Sequence, residues 1–167
     1  NSALKNNVNA LVQAYNSLNT TMSSLGSYDA TTKTAGALNG DSTLRNTQSQ
    51  VRAVLFGSVP SSLTGAAYQR LSDIGISVGK TGALSVDSTK LQKAIDTNFT
   101  AVANVIGAYG SGLKVAADNL LASDGTIASR TEGLNRSVAD VSKRRDALNV
   151  RLTAIEKQYR AQFTALD

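Results

Sequence analysis

From the N-terminus, Leu4, Val8, Leu11, Tyr15, Leu18, Met22 and Leu25 recur at alternating spacings of 4 and 3 residues without a miss. This is the a/d seam of a coiled coil sustained over three heptads, a period that a strand cannot use. Apart from Val12, the other positions are Asn, Ser, Thr, Gln and Ala, with Lys5 the only charge, and Gly26 follows the last seam residue as a natural C-cap. The predicted helix covers residues 1–26. It opens with no capping residue well placed before it, so the natural protein is expected to continue upstream.

The C-terminal third repeats the pattern for longer. Ile127, Thr131, Leu134, Val138, Val141, Arg145, Leu148, Leu152, Ile155 and Tyr159 keep the same alternation, and Phe163 and Leu166 follow after a stutter. A helix over residues 126–167 would be roughly 60 Å long, whereas Leu4 to Leu25 spans roughly 32 Å. The first helix therefore cannot cover the second, and the remaining seam needs other helices, a segment outside this sequence or another subunit. Two seam positions are polar, Thr131 and Arg145. Arg145 is expected to lay its stem along the seam and send its head to solvent. Lys143-Arg144-Arg145 reads as a solvated flank, because Asp140 and Asp146 lie close by and no aromatic residue interleaves.

Residues 27–125 form a smaller mixed region. Gly26 to Gly40 reads as a loop. Gly40-Asp41-Ser42-Thr43-Leu44 places an N-cap before a helix carrying Leu44, Val51, Val54 and Leu55 and ending at Gly57. The only proline, Pro60, sits in a polar connector. Ile74, Ile76 and Val78 then alternate with Gly75 and Ser77, and Leu84 and Val86 flank Ser85 beyond Gly79-Lys80-Thr81-Gly82. This predicts a β-hairpin within about 71–87, with Gly82 left-handed, Val78 opposite Leu84 and Ile76 opposite Val86. All five apolar side chains would share one packing face against helices. Asp87-Ser88 caps a further helix through Leu91, Ile95, Phe99, Val102 and Ile106, with a break near Thr97-Asn98. Gly107, Gly110 and Gly112 are expected to form a turn before a short helix at 113–121. The fold class is mainly α: a long antiparallel coiled coil or helical bundle with short helices and one hairpin, all in one domain.

Composition narrows the chemistry. The 167 residues contain no His, Cys or Trp. That removes Ser-His-Asp and Cys-His nucleophiles, Cys/His zinc sites, haem and iron-sulfur ligation, and disulfides. Neither a metal nor a cofactor is expected. Gly75-Ile76-Ser77-Val78-Gly79-Lys80-Thr81 has three residues between its glycines where a phosphate-binding loop needs four, and it continues into a strand. A glycan hydrolase built on carboxylates would need two of them about 5–9.5 Å apart. The candidates Asp41, Asp73, Asp87 and Asp124 all occupy cap or turn positions. Aromatic residues make up only 5% of the sequence, too few for sugar platforms. A net charge of +5 is a weak footprint for nucleic acid, and no apolar run is long enough for a membrane span. A helical assembly module, such as a coiled-coil adaptor or secretion-tip protein, is the reading that the residues favour.

Several motifs occur together and in order. They are Val12-Gln13-Ala14-Tyr15-Asn16-Ser17-Leu18, Gly40-Asp41-Ser42-Thr43-Leu44-Arg45, Leu71-Ser72-Asp73-Ile74-Gly75-Ile76, Gly82-Ala83-Leu84-Ser85-Val86-Asp87-Ser88-Thr89-Lys90-Leu91, and the closing Gln162-Phe163-Thr164-Ala165-Leu166-Asp167. In order and spacing the sequence resembles the C-terminal part of the flagellar filament cap family, the hook-associated protein 2 family. The resemblance implies a secreted structural protein of the bacterial flagellum, without enzymatic activity. It implies a ring-like homo-oligomer at the filament tip that helps incoming flagellin fold and insert. The partners implied are further copies of itself and flagellin. The family's helical leg is formed by segments on both sides of inserted outer domains. Relative to that pattern the sequence lacks an N-terminal segment, the outer domains and a terminal tail, and the absent N-terminal segment is the expected cover for the longer seam.

Overall fold

The computed structural model describes residues 2–165, so the expected roles of Leu166 and Asp167 lie outside the described residues. In order along the sequence the elements are α1 (Ser2–Gly26), β1 (Tyr28–Asp29), β2 (Thr34–Ala35), α2 (Ser42–Phe56), two single 3-10 turns (Ser61–Leu63 and Leu71–Ile74), β3 (Ile76–Val78), β4 (Leu84–Val86), α3 (Ser88–Leu121) and α4 (Thr126–Thr164). The fold is mainly α, as the heptads predict. It separates into two compact units, residues Asn1–Leu120 and Leu121–Asp167.

The first unit holds the core. Val8 of α1, Ile74 of the second 3-10 turn, and Val102 and Val105 of α3 are fully buried, joined by Val51 and Leu55 of α2 and by Leu63. Full burial of each such side chain contributes about 1.5–3 kcal/mol. Local signals place the elements around this core. Asp41 caps α2 by accepting from the Thr43 and Leu44 amides at 2.7 and 3.3 Å. Asp87 Oδ1 accepts from Thr89 and Lys90 at the start of α3. β3 and β4 are antiparallel, with Ile76 opposite Val86 and Val78 opposite Leu84, the register that the alternation requires. Gly82 has φ +80°, the left-handed conformation expected of it.

Four expectations are corrected. Ile74 belongs to the 3-10 turn preceding the hairpin, because Gly75 at φ +88° ends that turn and starts β3 one residue later. The stretch expected as a loop after Gly26 contains a miniature hairpin, β1 and β2, with Tyr28 opposite Ala35 and Asp29 opposite Thr34. Asp29 organises its turn by accepting from the Thr31 and Thr32 amides. No turn forms at Gly107, Gly110 and Gly112, for α3 runs through all three to Leu121. Three glycines inside a helix cost about 1 kcal/mol each relative to Ala, but Val102, Val105, Tyr109 and Leu120 are buried on this segment and hold it helical. Gly112 also has a packing role, since a Cβ there would lie 2.9 Å from Val54 Cγ1 of α2. The expected break in α3 does occur: Asn98 has φ −156° and ψ 83°, and its Oδ1 accepts from the Ala101 amide to cap the second half.

The fourth correction concerns faces. The buried residues of α1 are Leu4, Val8, Val12, Tyr15, Asn19 and Met22. Leu11 and Leu25 are only half-buried and Leu18 is 42% exposed. The buried stripe therefore shifts from Leu11 and Leu18 to Val12 and Asn19, because α1 rests on a hairpin that presents carbonyls as well as methyl groups. On the hairpin, Ile76 and Leu84 are buried and Val86 is half-buried, but Val78 is 48% exposed. The side-chain bonds of α1 go to β4 and to the hairpin turn, at Leu84, Gly82 and Thr81, and Val78 at the end of β3 is left exposed.

Candidate functional site

Two features carry more chemistry than the rest. The first is a clamp between α1 and the hairpin. Residues 15, 16 and 19 lie on adjoining positions of α1, and each reaches the hairpin from there. The Tyr15 hydroxyl donates to the Gly82 carbonyl at 3.0 Å. The Asn16 side chain makes both bonds of a strand, its Nδ2 donating to the Leu84 carbonyl at 2.9 Å and its Oδ1 accepting from the Leu84 amide at 2.7 Å. Asn19 Nδ2 donates to the Thr81 carbonyl at 3.2 Å. A hairpin of three-residue strands is marginal alone, and an open edge invites pairing with another strand. Asn16 closes that edge of β4 with a single side group.

Burial raises the Tyr15 hydroxyl above its ordinary pKa, opposed in part by the charge of Arg52 and a hydrogen bond with it. Tyr15 thus stays a neutral donor. Its ring meets Phe56 edge-on, with centroids 6.4 Å apart. On the other side of the hairpin, Asp73 Oδ2 accepts from the Gln69 and Arg70 amides at 3.0 and 2.9 Å. Burial pulls the Asp73 carboxyl upward, but these bonds and the charges of Lys90 and Arg70 outweigh it and hold the group below its usual value. The Tyr109 hydroxyl donates to the Gln69 carbonyl at 3.2 Å. It too is raised by burial, with Arg70 opposing and Asp73 adding.

The candidate carboxylates serve local turns and caps. Asp41, Asp73 and Asp87 each bind the backbone of their own turn or cap, and Asp124 lies in the turn before Thr126. Among the described residues no group of three or more acidic, His or Cys side chains could hold a metal ion, and no helix is long and apolar enough to cross a membrane. Gly75 to Thr81 forms the end of a 3-10 turn, a strand and a hairpin turn, without the helix that a phosphate-binding loop must open.

The second feature is α4 itself, which has no buried residue along its 39 positions. Leu134, Val138, Val141, Leu148, Leu152, Ile155 and Tyr159 share one face, and their exposure ranges from 38% at Ile155 to 68% at Val138. The flanks carry i,i+4 pairs: Arg136 with Glu132, Arg144 with Asp140 at 2.7 Å, and Arg160 with Glu156 at 2.8 Å. Arg145 pairs with the neighbouring Asp146 at 3.5 Å and is solvent-exposed, and the Thr131 hydroxyl bonds back to the Ile127 carbonyl. The basic run at 143–145 is therefore part of a paired, solvated flank.

The seam pattern places Leu4, Val8, Tyr15 and Met22 on the buried face of α1, while the heptads assign no role to Asn16 and Asn19. A signal for Asn19 was present: it is an amide one position beside the apolar seam of α1, and it becomes buried because the hairpin turn offers it a carbonyl.

Comparison with known proteins places this arrangement. The family model described as flagellar hook-associated protein 2 C-terminus matches residues 1–167. Flagellar hook-associated protein 2 of Escherichia coli K12 is 34% identical over 93% of this chain and 36% of its own length. That of Aeromonas caviae is 32% identical over 96% of this chain and 36% of its own. The crystal structure of the flagellar cap protein FliD D1-D2-D3 domains from Escherichia coli matches with a TM-score of 0.61 at 32% identity, covering 75% of this chain and 35% of that one. The chain thus spans about a third of the length of these relatives. With the family's model covering every residue, this chain belongs to the flagellar hook-associated protein 2 C-terminal family.

Proposed function

We propose that this chain is the helical leg of a flagellar filament cap subunit, an extracellular, non-enzymatic part that works at the flagellum tip by packing against other subunits. In this reading the complete protein forms a ring-like homo-oligomer that helps incoming flagellin fold and insert, so the filament elongates. The observation that carries it is α4: a 39-residue helix with no buried residue and an apolar stripe on one face, interrupted at Thr131 and Arg145. Such a stripe is a surface for another helix. The globular unit is stabilised by its own core and by the α1 clamp.

The test is complementation of a strain lacking its filament cap gene with the full-length protein. The unmodified protein should restore swimming and keep flagellin on the filament. A variant carrying Leu148→Asp and Leu152→Asp should leave cells non-motile and release unpolymerised flagellin, while its circular dichroism still reports a folded globular unit. Restored motility in that variant would remove the stripe from the mechanism. Light scattering on the full-length protein tests the oligomer.

A further inference from the structure

Asn39 is the one asparagine in the sequence that is followed by glycine. In such a pair the glycine amide nitrogen is not shielded by a neighbouring side group and can attack the carbonyl carbon of the asparagine carboxamide. A new carbon–nitrogen bond closes a succinimide ring as the bond from that carbon to Nδ2 breaks. The glycine amide proton leaves to base and Nδ2 departs as ammonia. Water then opens the ring at either carbonyl, giving aspartate or isoaspartate. No oxidant or cofactor is required.

The surroundings of Asn39 fit this reaction. Both residues are exposed, Gly40 has φ +79°, and nothing lies within 4 Å of where its Cβ would be. Among the described residues no backbone oxygen accepts the Gly40 N–H. The one aspartate followed by glycine, at Asp124-Gly125, contrasts with it: the Gly125 N–H donates to the Ala122 carbonyl at 2.8 Å and is held in its turn. Of the described asparagines, Asn39 is the one that lies outside the bounds of every helix, Asn98 standing at the break inside α3.

Its amide has a structural task. Asn39 Nδ2 donates to the Gly26 carbonyl at 2.8 Å and to the Ser27 carbonyl at 3.1 Å, tying the segment before α2 to the C-terminus of α1. We propose that Asn39-Gly40 is a self-acting modification site whose deamidation releases this tie. Both donors are lost, and the new carboxylate faces two carbonyl oxygens at the negative end of the α1 dipole. Isoaspartate also adds a backbone carbon between Leu38 and Gly40. That disrupts the turn in which the Asp41 amide donates to Leu38 at 3.0 Å, and with it the position of the Asp41 cap on α2. Because the two hydrogen bonds must open before the ring can close, the rate of modification reports the opening of the tie.

The experiment is incubation of the purified protein in mildly alkaline buffer, followed by peptide mapping for a gain of about one dalton and for isoaspartate. Modification should concentrate at residue 39 and be suppressed in both Asn39→Gln and Gly40→Ala. The variant Asn39→Asp, which imitates one product, should melt about 2–4 °C lower than the parent and exchange its amide hydrogens faster across residues 27–41. The proposal is overturned if Asn39 keeps its amide, or if the helical Asn46 converts at the same rate as Asn39. It is equally overturned if Asn39→Asp melts and exchanges like the parent.

Discussion

The Tyr15 hydroxyl donates to the Gly82 carbonyl at 3.0 Å, joining residues 67 positions apart in sequence. Gly82 presents that carbonyl from a left-handed turn, so the bond needs both the tyrosine on the helix and the glycine in the hairpin. Tyr15→Phe keeps the ring and removes the donor, and is expected to cost about 1 kcal/mol in urea denaturation. Gly82→Ala must hold a left-handed Ala and place its Cβ 2.9 Å from Arg52 Nη2, adding about 1–2 kcal/mol of backbone strain. A double-mutant cycle between the two should show coupling, since each change disturbs the same bond.

Asn16 binds both backbone groups of Leu84. Asn16→Ala should destabilise by about 1–3 kcal/mol, because it leaves a partly buried amide and carbonyl without partners. Asn16→Asp restores the acceptor only and should recover part of the loss. Hydrogen exchange at the Leu84 amide reads this directly: fast in the Ala variant and slow in the parent.

The glycines of this protein differ in what a Cβ would meet. At Gly36 it would run into the Leu25 and Ser24 carbonyl oxygens, backbone atoms that cannot turn aside, whereas at Gly107 and Gly110 nothing lies within 4 Å. Gly36→Ala is expected to cost about 1–3 kcal/mol through forced backbone shifts. Gly107→Ala and Gly110→Ala, inside α3, should each stabilise by about 0.5–1 kcal/mol. Thermal melts of the three variants should place them on opposite sides of the parent.

Asp73 contributes to the acid limb of the stability profile. Its folded carboxyl is held below the ordinary value, so the stability it adds is complete above about pH 4, where the unfolded group is also ionised. As the pH falls through the depressed value, the folded carboxylate takes up its proton and the contribution disappears. Asp73→Asn should flatten this dependence, and comparing the urea midpoints of parent and variant across acidic pH measures it. A parent profile no steeper than that of the variant would contradict the assignment.

Lys33 is the one described residue other than glycine with positive φ, at 54°. It closes the β1–β2 turn. Lys33→Gly is expected to relieve about 1 kcal/mol of left-handed strain, offset in part by the greater freedom of glycine in the unfolded state. A melt no lower than the parent's is the outcome to look for.

Much of this molecule was legible from residue order. The 4,3 spacing predicts α1 and α4, Asp41 and Asp87 mark the starts of α2 and α3, and alternation across Gly79 to Gly82 sets the hairpin register, because caps and periodicities act over a few residues. The tertiary structure alone decided which face of α1 is buried, why Asn16 and Asn19 are there, why α3 continues through three glycines, and why Val78 stays exposed. Each of these depends on a partner distant in sequence: a carbonyl at Thr81, Gly82 or Leu84 that needs a donor, a Val54 methyl that fits only beside Gly112, a core that keeps a glycine-rich segment helical. A heptad read along the sequence carries the period of the stripe, but the polar groups and the shape of what it packs against choose the face.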